Sequence, residues 1–330
     1  MAKNQIKIIL SGLDNAGKSS MIVGLKKMYN LDQDLAQILP TIRIDFYRRK
    51  FLEHFVLNCF DMGGQLKFRE LYLKRPMYFE DLNLFMYLID IQDEIRFQES
   101  VDYLGKVLEI LESNGYDRRV PLHICFSKAD FVLLSQSSSD YFSRIEMIKN
   151  LLSSTYPTFE FRYFLTSIFN IYSIVQVIYS GLRNLLPPLH EIEYILENFG
   201  TFHEVQQVMV FDRSGMILGN YGKDTADNFE FKNWINNIVS SHLEFFKHME
   251  DNKLEIAQTR SVDKEGDTHF LHLCQNIDIP RTKTDDPMPD EYSKYYISLI
   301  IPQEHGEKAE KELPGMIESI TKIIRTHINS

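Results

Sequence analysis

The chain is short of cysteine, of positive charge and of long apolar runs, and each shortage removes a class of function. Its 3 cysteines, Cys59, Cys125 and Cys274, lie far apart in apolar stretches, with no CxxC spacing and no Cys/His cluster. A disulfide framework and a zinc site are therefore not expected, and a reducing, cytoplasmic setting is. Lys and Arg number 36 against 46 Asp and Glu, a net charge of −10, which argues against a nucleic-acid-binding surface. No uninterrupted apolar run approaches the roughly 20 residues of a membrane span. The opening Met-Ala-Lys-Asn passes at once into a strand pattern, so neither a signal peptide nor an anchor helix is expected. Ala2 stands where N-myristoylation needs glycine, and the last residues hold no prenylation cysteine. Membrane attachment is expected only indirectly, through a partner.

With 330 residues, 44% of them hydrophobic, the chain can bury ordinary cores, and its length favours two domains over one. The stretch Gly12-Leu13-Asp14-Asn15-Ala16-Gly17-Lys18-Ser19 sits between the apolar run Ile6–Leu10 and a helical pattern over Met21–Tyr29. Strand, glycine loop, helix is the order a phosphate-binding loop needs. The glycines let successive N–H groups curl inward, Lys18 reaches the outer phosphates, and the Ser19 hydroxyl takes one Mg²⁺ position. The helix that follows adds its positive N-terminal end.

Leu39-Pro40-Thr41-Ile42 leads into a strand pattern over 43–47, and a second, 54–60, ends in Asp61-Met62-Gly63-Gly64-Gln65. Thr41 in a loop and Asp61 at a strand tip are the two further groups that a Mg²⁺-dependent nucleotide switch needs. Thr41 would ligate the metal through its hydroxyl and Asp61 through a water, while the Gly64 N–H senses the third phosphate. Near-continuous apolar runs at 82–90 and 121–126 predict parallel strands buried on both faces, and helices are predicted over 97–113, 141–153 and 174–186, with a sixth strand at 159–165. Strands alternating with helices predict an α/β, doubly wound, mostly parallel six-stranded sheet with helices on both faces and its ligand at the strands' C-terminal ends.

Gly-Leu-Asp-Asn-Ala-Gly-Lys-Ser, Pro-Thr-Ile, Asp-Met-Gly-Gly-Gln and the stretch from Ile89-Asp90 to Arg96-Phe97 resemble small GTPases of the Arf family. Tyr163-Phe164-Leu165-Thr166-Ser167-Ile168 into Leu185-Leu186-Pro187 is more similar to Rag GTPases. The resemblance covers about residues 5–187 and implies an Arf/Rag-type G domain that binds GTP or GDP with Mg²⁺. It implies a nucleotide site made of Asp14, Asn15, Ala16, Gly17, Lys18, Ser19, Ser20, Thr41, Gly64, Ser127, Lys128, Asp130, Thr166 and Ser167, with Ser19, Thr41 and Asp61 as metal ligands. The Thr166-Ser167 backbone would lie against the guanine oxygen. Gln65 matches the residue that orients the attacking water and, with Lys18, carries catalysis. The fourth motif of that family is Asn-Lys-x-Asp. Here Ser127 replaces the Asn, but Lys128 and Asp130 remain, so guanine selection should survive with weaker hold. No arginine within the chain can be assigned to the reaction, so hydrolysis is expected to be slow until a partner accelerates it.

Pro187-Pro188 is expected to end the last helix of this half and to mark the boundary between domains 1–187 and 188–330. Beyond it the order predicted is helix (189–198), two strands (205–211, 216–221) joined at Asp212-Arg213-Ser214-Gly215, helix (229–248), three strands (254–259, 268–274, 295–301) and a helix from 308 to 328, regular from Pro314. Trp234, the lone tryptophan, reads as a core anchor, and 281–294, with Pro287 and Pro289, as a mobile loop. This describes a five-stranded antiparallel sheet with packed helices and resembles a roadblock or longin-type module, which Rag GTPases carry after their G domain. His269 and His272, three apart on a strand, face opposite sides and make no metal site.

The sequence is thus read as a guanine-nucleotide switch that hydrolyses GTP slowly and signals through its second domain. Its partners would be a GAP, an exchange factor and another roadblock-like or Rag-like chain, in a homo- or heterodimer. The competing reading is a nucleotide-stabilised scaffold with little turnover, of which Ser127 would be an early sign.

Overall fold

The computed structural model describes residues 5–26, 44–52, 55–115, 120–130, 139–212, 215–223, 237–242, 245, 248, 252, 258–265, 267–278 and 294–328. Thr41, Trp234, Pro287 and Pro289 lie outside them. The chain divides into two compact units, residues 1–51 with 55–177 and residues 52–54 with 178–330, so that the helix over Ile171–Leu182 crosses the division.

The first unit runs β1 (Gln5–Gly12), α1 (Lys18–Lys26), β2 (Ile44–Phe51), β3 (Phe55–Met62), α2 (Leu66–Leu73), β4 (Leu84–Asp90), α3 (Phe97–Ser113), β5 (Leu122–Ser127), α4 (Ser139–Thr155), β6 (Phe161–Leu165) and α5 (Ile171–Leu182). The six strands form one sheet in the order β2-β3-β1-β4-β5-β6. Only β2 runs antiparallel, as the edge partner of β3. In β4, successive residues from Leu84 to Ile89 are all at most 2% exposed. Side chains alternate between sheet faces, so both faces are covered, which is why this segment reads as an unbroken apolar run. The parallel strands β1, β3, β4 and β5 end together near Gly12, Met62, Asp90 and Ser127, so the chemistry-bearing residues of four separate stretches share one rim.

Helix α5 ends at Leu182, earlier than the 186 expected. Pro187 and Pro188 do not close it. They occupy the first turn of the next helix, α6 (Pro187–Phe202), where the missing N–H costs nothing and the fixed φ already suits a helix.

The second unit continues with β7 (Gln207–Asp212), β8 (Ile217–Gly222), β9 (Gln258–Glu265), β10 (Thr268–Asp278), β11 (Lys294–Pro302) and α7 (Gln303–Ile328). Its five strands form an antiparallel sheet in the order β8-β7-β11-β10-β9. The turn between β7 and β8 is held by Gly215 N–H donating to Asp212 O at 2.8 Å, with Met216 N–H donating to the Asp212 carboxylate at 2.9 Å. Two expectations shift. Strand β9 covers Gln258–Glu265, overlapping the expected 254–259 only at its end, with 254–257 outside the described residues, and α7 passes through Pro314 without restarting there. Ala309, Leu313, Met316, Ile320 and Ile324 are all buried. This continuous stripe at three- and four-residue spacing outweighs the one backbone bond that Pro314 removes. His269 is exposed and His272 buried, on opposite faces as predicted. No group of three or more metal-ligating side chains is present among the described residues, and no helix among them is long and apolar enough to cross a membrane.

Candidate nucleotide-binding site

The loop from β1 to α1 is shaped by backbone that ordinary residues resist. Gly12 adopts φ +140°, and a Cβ there would stand 2.4 Å from the Leu88 carbonyl oxygen of β4, so only glycine lets β1 leave the sheet at this point. Asn15 and Gly17 follow at φ 63° and 81°, which curls the loop into a cradle of N–H groups at the start of α1. Lys18, the first residue of α1, is 5% exposed. Its Nζ donates to the Gly12 and Leu13 carbonyls at 3.1 and 2.5 Å, so the ammonium is held inside the cradle by the loop's own backbone.

Burial pushes the Lys18 pKa down to about 8, against the opposing pull of Asp61 and Asp14. A phosphate placed beside it stabilises the ammonium and raises that pKa again. Affinity for a phosphate ligand would therefore be complete only about a unit below pH 8 and would fall as pH rises through that value, because binding must then take up a proton. We expect GDP affinity, titrated calorimetrically from pH 7 to 9, to decline toward the limiting slope of about tenfold per pH unit. Lys18→Arg, whose charge persists, should give a flat profile at whatever affinity it retains.

At the tip of β3, Asp61 is fully buried, and its Oδ2 accepts a hydrogen bond from Ser19 Oγ. A hydroxyl and a buried carboxylate are hard oxygen donors, the chemistry that Mg²⁺ requires, so this pair fits a magnesium site. The Gly63 N–H donates to the Tyr72 hydroxyl at 3.0 Å, anchoring the segment to α2. Gly64 presses against the phosphate loop so closely that a Cβ would lie 2.2 Å from Asp14 N and 2.4 Å from Leu13 O. Gln65 sits at the N-cap of α2, with its carbonyl accepting from Phe68 and Arg69 and its side chain not used for capping.

Across the rim, a cavity of about 200 Å³ is lined by Gly17, Ser20, Lys128, Asp130, Ser167 and Phe169, among others. The Asp130 carboxylate accepts a hydrogen bond from Ser167 Oγ. Lys128, at φ 56°, is ion-paired to Asp90 at 2.6 Å. Ser127 Oγ donates to the Ile89 carbonyl at 3.2 Å, and its Cβ lies against the open side of Gly17. The shorter side chain thus contacts β4, where a carboxamide would extend toward the phosphate loop. The Thr166 N–H donates to Phe126 O at 2.9 Å and the Ser167 N–H to Ser173 Oγ at 3.0 Å, so both donors expected to face a guanine oxygen are engaged within the protein.

One contact at the rim has no counterpart in the sequence patterns. Arg96, just before α3, donates to the Asp14 carboxylate at 2.7 Å and to the Glu99 carboxylate at 3.0 Å, and Glu99 accepts from Arg69 of α2. Burial alone would raise the Asp14 carboxyl; the Arg96 guanidinium outweighs it and holds Asp14 below the usual range. The network ties the phosphate loop to the helix that follows Gln65. The i,i+3 spacing of Arg96 and Glu99 was a signal for half of it. Asp14 is 82 positions away and no local pattern links it to Arg96.

Comparison with known proteins gives this arrangement a family. Residues 7–239 match the family described as Gtr1/RagA G protein conserved region. A curated relative, Ras-related GTP-binding protein A of Dictyostelium discoideum, is 25% identical over 214 residues, which cover 64% of this chain and 68% of that protein. Among solved structures, the Arl6 BBS3 small GTPase from Trypanosoma brucei with bound nucleotide analogue GppNp aligns at 18% identity and a TM-score of 0.41, covering 55% of this chain and 99% of that one. The match over most of the chain, together with the loop, the buried lysine and the Ser19–Asp61 pair, places the protein in the Gtr1/RagA family of G proteins.

Proposed function

We propose that this chain is a guanine-nucleotide-dependent switch that binds GTP or GDP with Mg²⁺ and hydrolyses GTP slowly, through a G domain of residues 1–187. The observation that carries the proposal is the convergence, on one rim, of Lys18 buried in a backbone cradle with the Ser19–Asp61 pair and Gly64. Lys18 neutralises the outer phosphates, and Ser19 and Asp61 hold the metal, with Thr41 assigned as a third ligand by its place in the sequence. Bound magnesium would supply charge neutralisation at the phosphates. Gly64 lies where it meets the loop, so admitting a third phosphate moves it, and that movement is the switching event. Gln65 orients the attacking water, and Asp130 reads the guanine edge.

Residues 188–330 serve as the partner-facing domain, a roadblock-like platform supported by the antiparallel five-stranded sheet. It pairs with another roadblock-like or Rag-like chain, while a GAP and an exchange factor act on the G domain. The chain acts in the cytoplasm and reaches membranes through partners.

The scaffold reading is favoured only by Ser127, and hydrolysis separates the two. Gln65→Leu should slow single-turnover GTP hydrolysis by at least about tenfold while leaving GDP affinity within about twofold, because the amide acts on water and makes little ground-state contact. An unchanged rate in Gln65→Leu, with and without partner proteins, would favour the scaffold.

A further inference from the structure

The cavity beside Asp130 contains an aromatic side chain that no motif accounts for. Phe169 lines it together with Lys128, Asp130 and Ser167 and is 63% exposed. An open ring on the wall of a cavity can gain by stacking on a planar partner placed there. Its backbone is nevertheless tightly held. The Phe169 N–H donates to Ser167 Oγ at 3.0 Å, and that same hydroxyl donates to the Asp130 carboxylate. Asn170 N–H donates to Ser167 O at 3.1 Å, and buried Asn170 is pinned in turn by Ser173, whose Oγ donates to its carbonyl at 2.6 Å. One hydroxyl therefore fixes both the carboxylate that reads a base edge and the residue beside it. Meanwhile the Lys128 ammonium is engaged by Asp90, and Ser127 supplies no carboxamide brace.

We propose that Phe169 is the platform for the face of the purine ring, supplying by stacking part of the hold that the replaced Asn would have supplied by hydrogen bonding. This rests on the nucleotide-binding reading above and adds to it a residue whose contribution differs in kind from that of Asp130. Every purine presents a π-face, so a platform adds affinity without discriminating among purines; only Asp130, on the edge, does that.

The test uses the full chain and the probes GDP and inosine diphosphate, which lacks the exocyclic amino group. Phe169→Ala should speed dissociation of both by about tenfold and leave the ratio between them unchanged. Phe169→Leu should fall between Ala and wild type. Phe169→Trp should keep the wild-type rate and change its fluorescence, above the Trp234 background, when nucleotide is released. Thermal melting of the nucleotide-free chain should not move for any of the three, because the side chain is mostly exposed. Wild-type dissociation rates in Phe169→Ala, or a loss confined to GDP, would overturn the proposal. Wild-type protein that retains neither nucleotide would instead overturn the binding reading on which it rests.

Discussion

Lys18→Ala is expected to lose at least about 100-fold in affinity for both GTP and GDP. The side chain is the buried cation of the cradle, and a hydrogen bond to a charged group contributes about 1.5–3 kcal/mol, before the charge left unneutralised on the phosphates is counted. The loss should not come from unfolding. Burial already depresses the Lys18 pKa, so holding the ammonium out of water costs folding free energy, and alanine removes that cost along with the two bonds to Gly12 and Leu13. Equilibrium binding of a fluorescent GDP analogue, paired with a thermal melt of the nucleotide-free chain, measures both. Wild-type affinity in the variant would mean that phosphates bind elsewhere.

Asp130→Asn should alter the choice of base. A carboxylate accepts from two N–H groups of guanine; the amide accepts one and offers a donor where the second N–H points, which suits xanthine. A site built to pair a polar edge rejects an analogue that leaves its groups unmatched by as much as about 10⁴-fold, so the GDP to xanthosine diphosphate preference should change by roughly a thousandfold. The amide oxygen can still accept from Ser167 Oγ, which keeps the loop in place. Competition binding with the two diphosphates checks this, and an unchanged preference would remove Asp130 from base recognition.

The parts of this fold that were legible in the sequence are those where one physical demand dominates. The two-faced burial of β4 forces an unbroken apolar run, and helix α3 carries apolar residues at the helical period along its whole predicted length. The phosphate loop was legible because Gly12 and Gly17 tolerate backbone that other residues do not. Boundaries were harder where two signals competed. Pro187-Pro188 can close one helix or open the next, and the sequence does not say which until the end of α5 is known. Pro314 is a break by local rules, yet the buried stripe from Ala309 to Ile324 carries α7 through it. In the site, motif residues close in sequence were found, whereas Arg96 to Asp14 and Ser167 to Asp130 span 82 and 37 positions. Such contacts depend on which strands share a rim, and only the sheet order supplies that.

In a switch of this design the third phosphate moves Gly64 and the segment after it. Hydrogen exchange across 61–72, measured with GDP and with a non-hydrolysable GTP analogue under saturating Mg²⁺, tests it most directly. Exchange should be slower with the triphosphate analogue, concentrated at Gly63–Arg69, and released with GDP. Identical exchange in the two states, with both nucleotides shown to be bound, would contradict the switch and leave a nucleotide-stabilised scaffold.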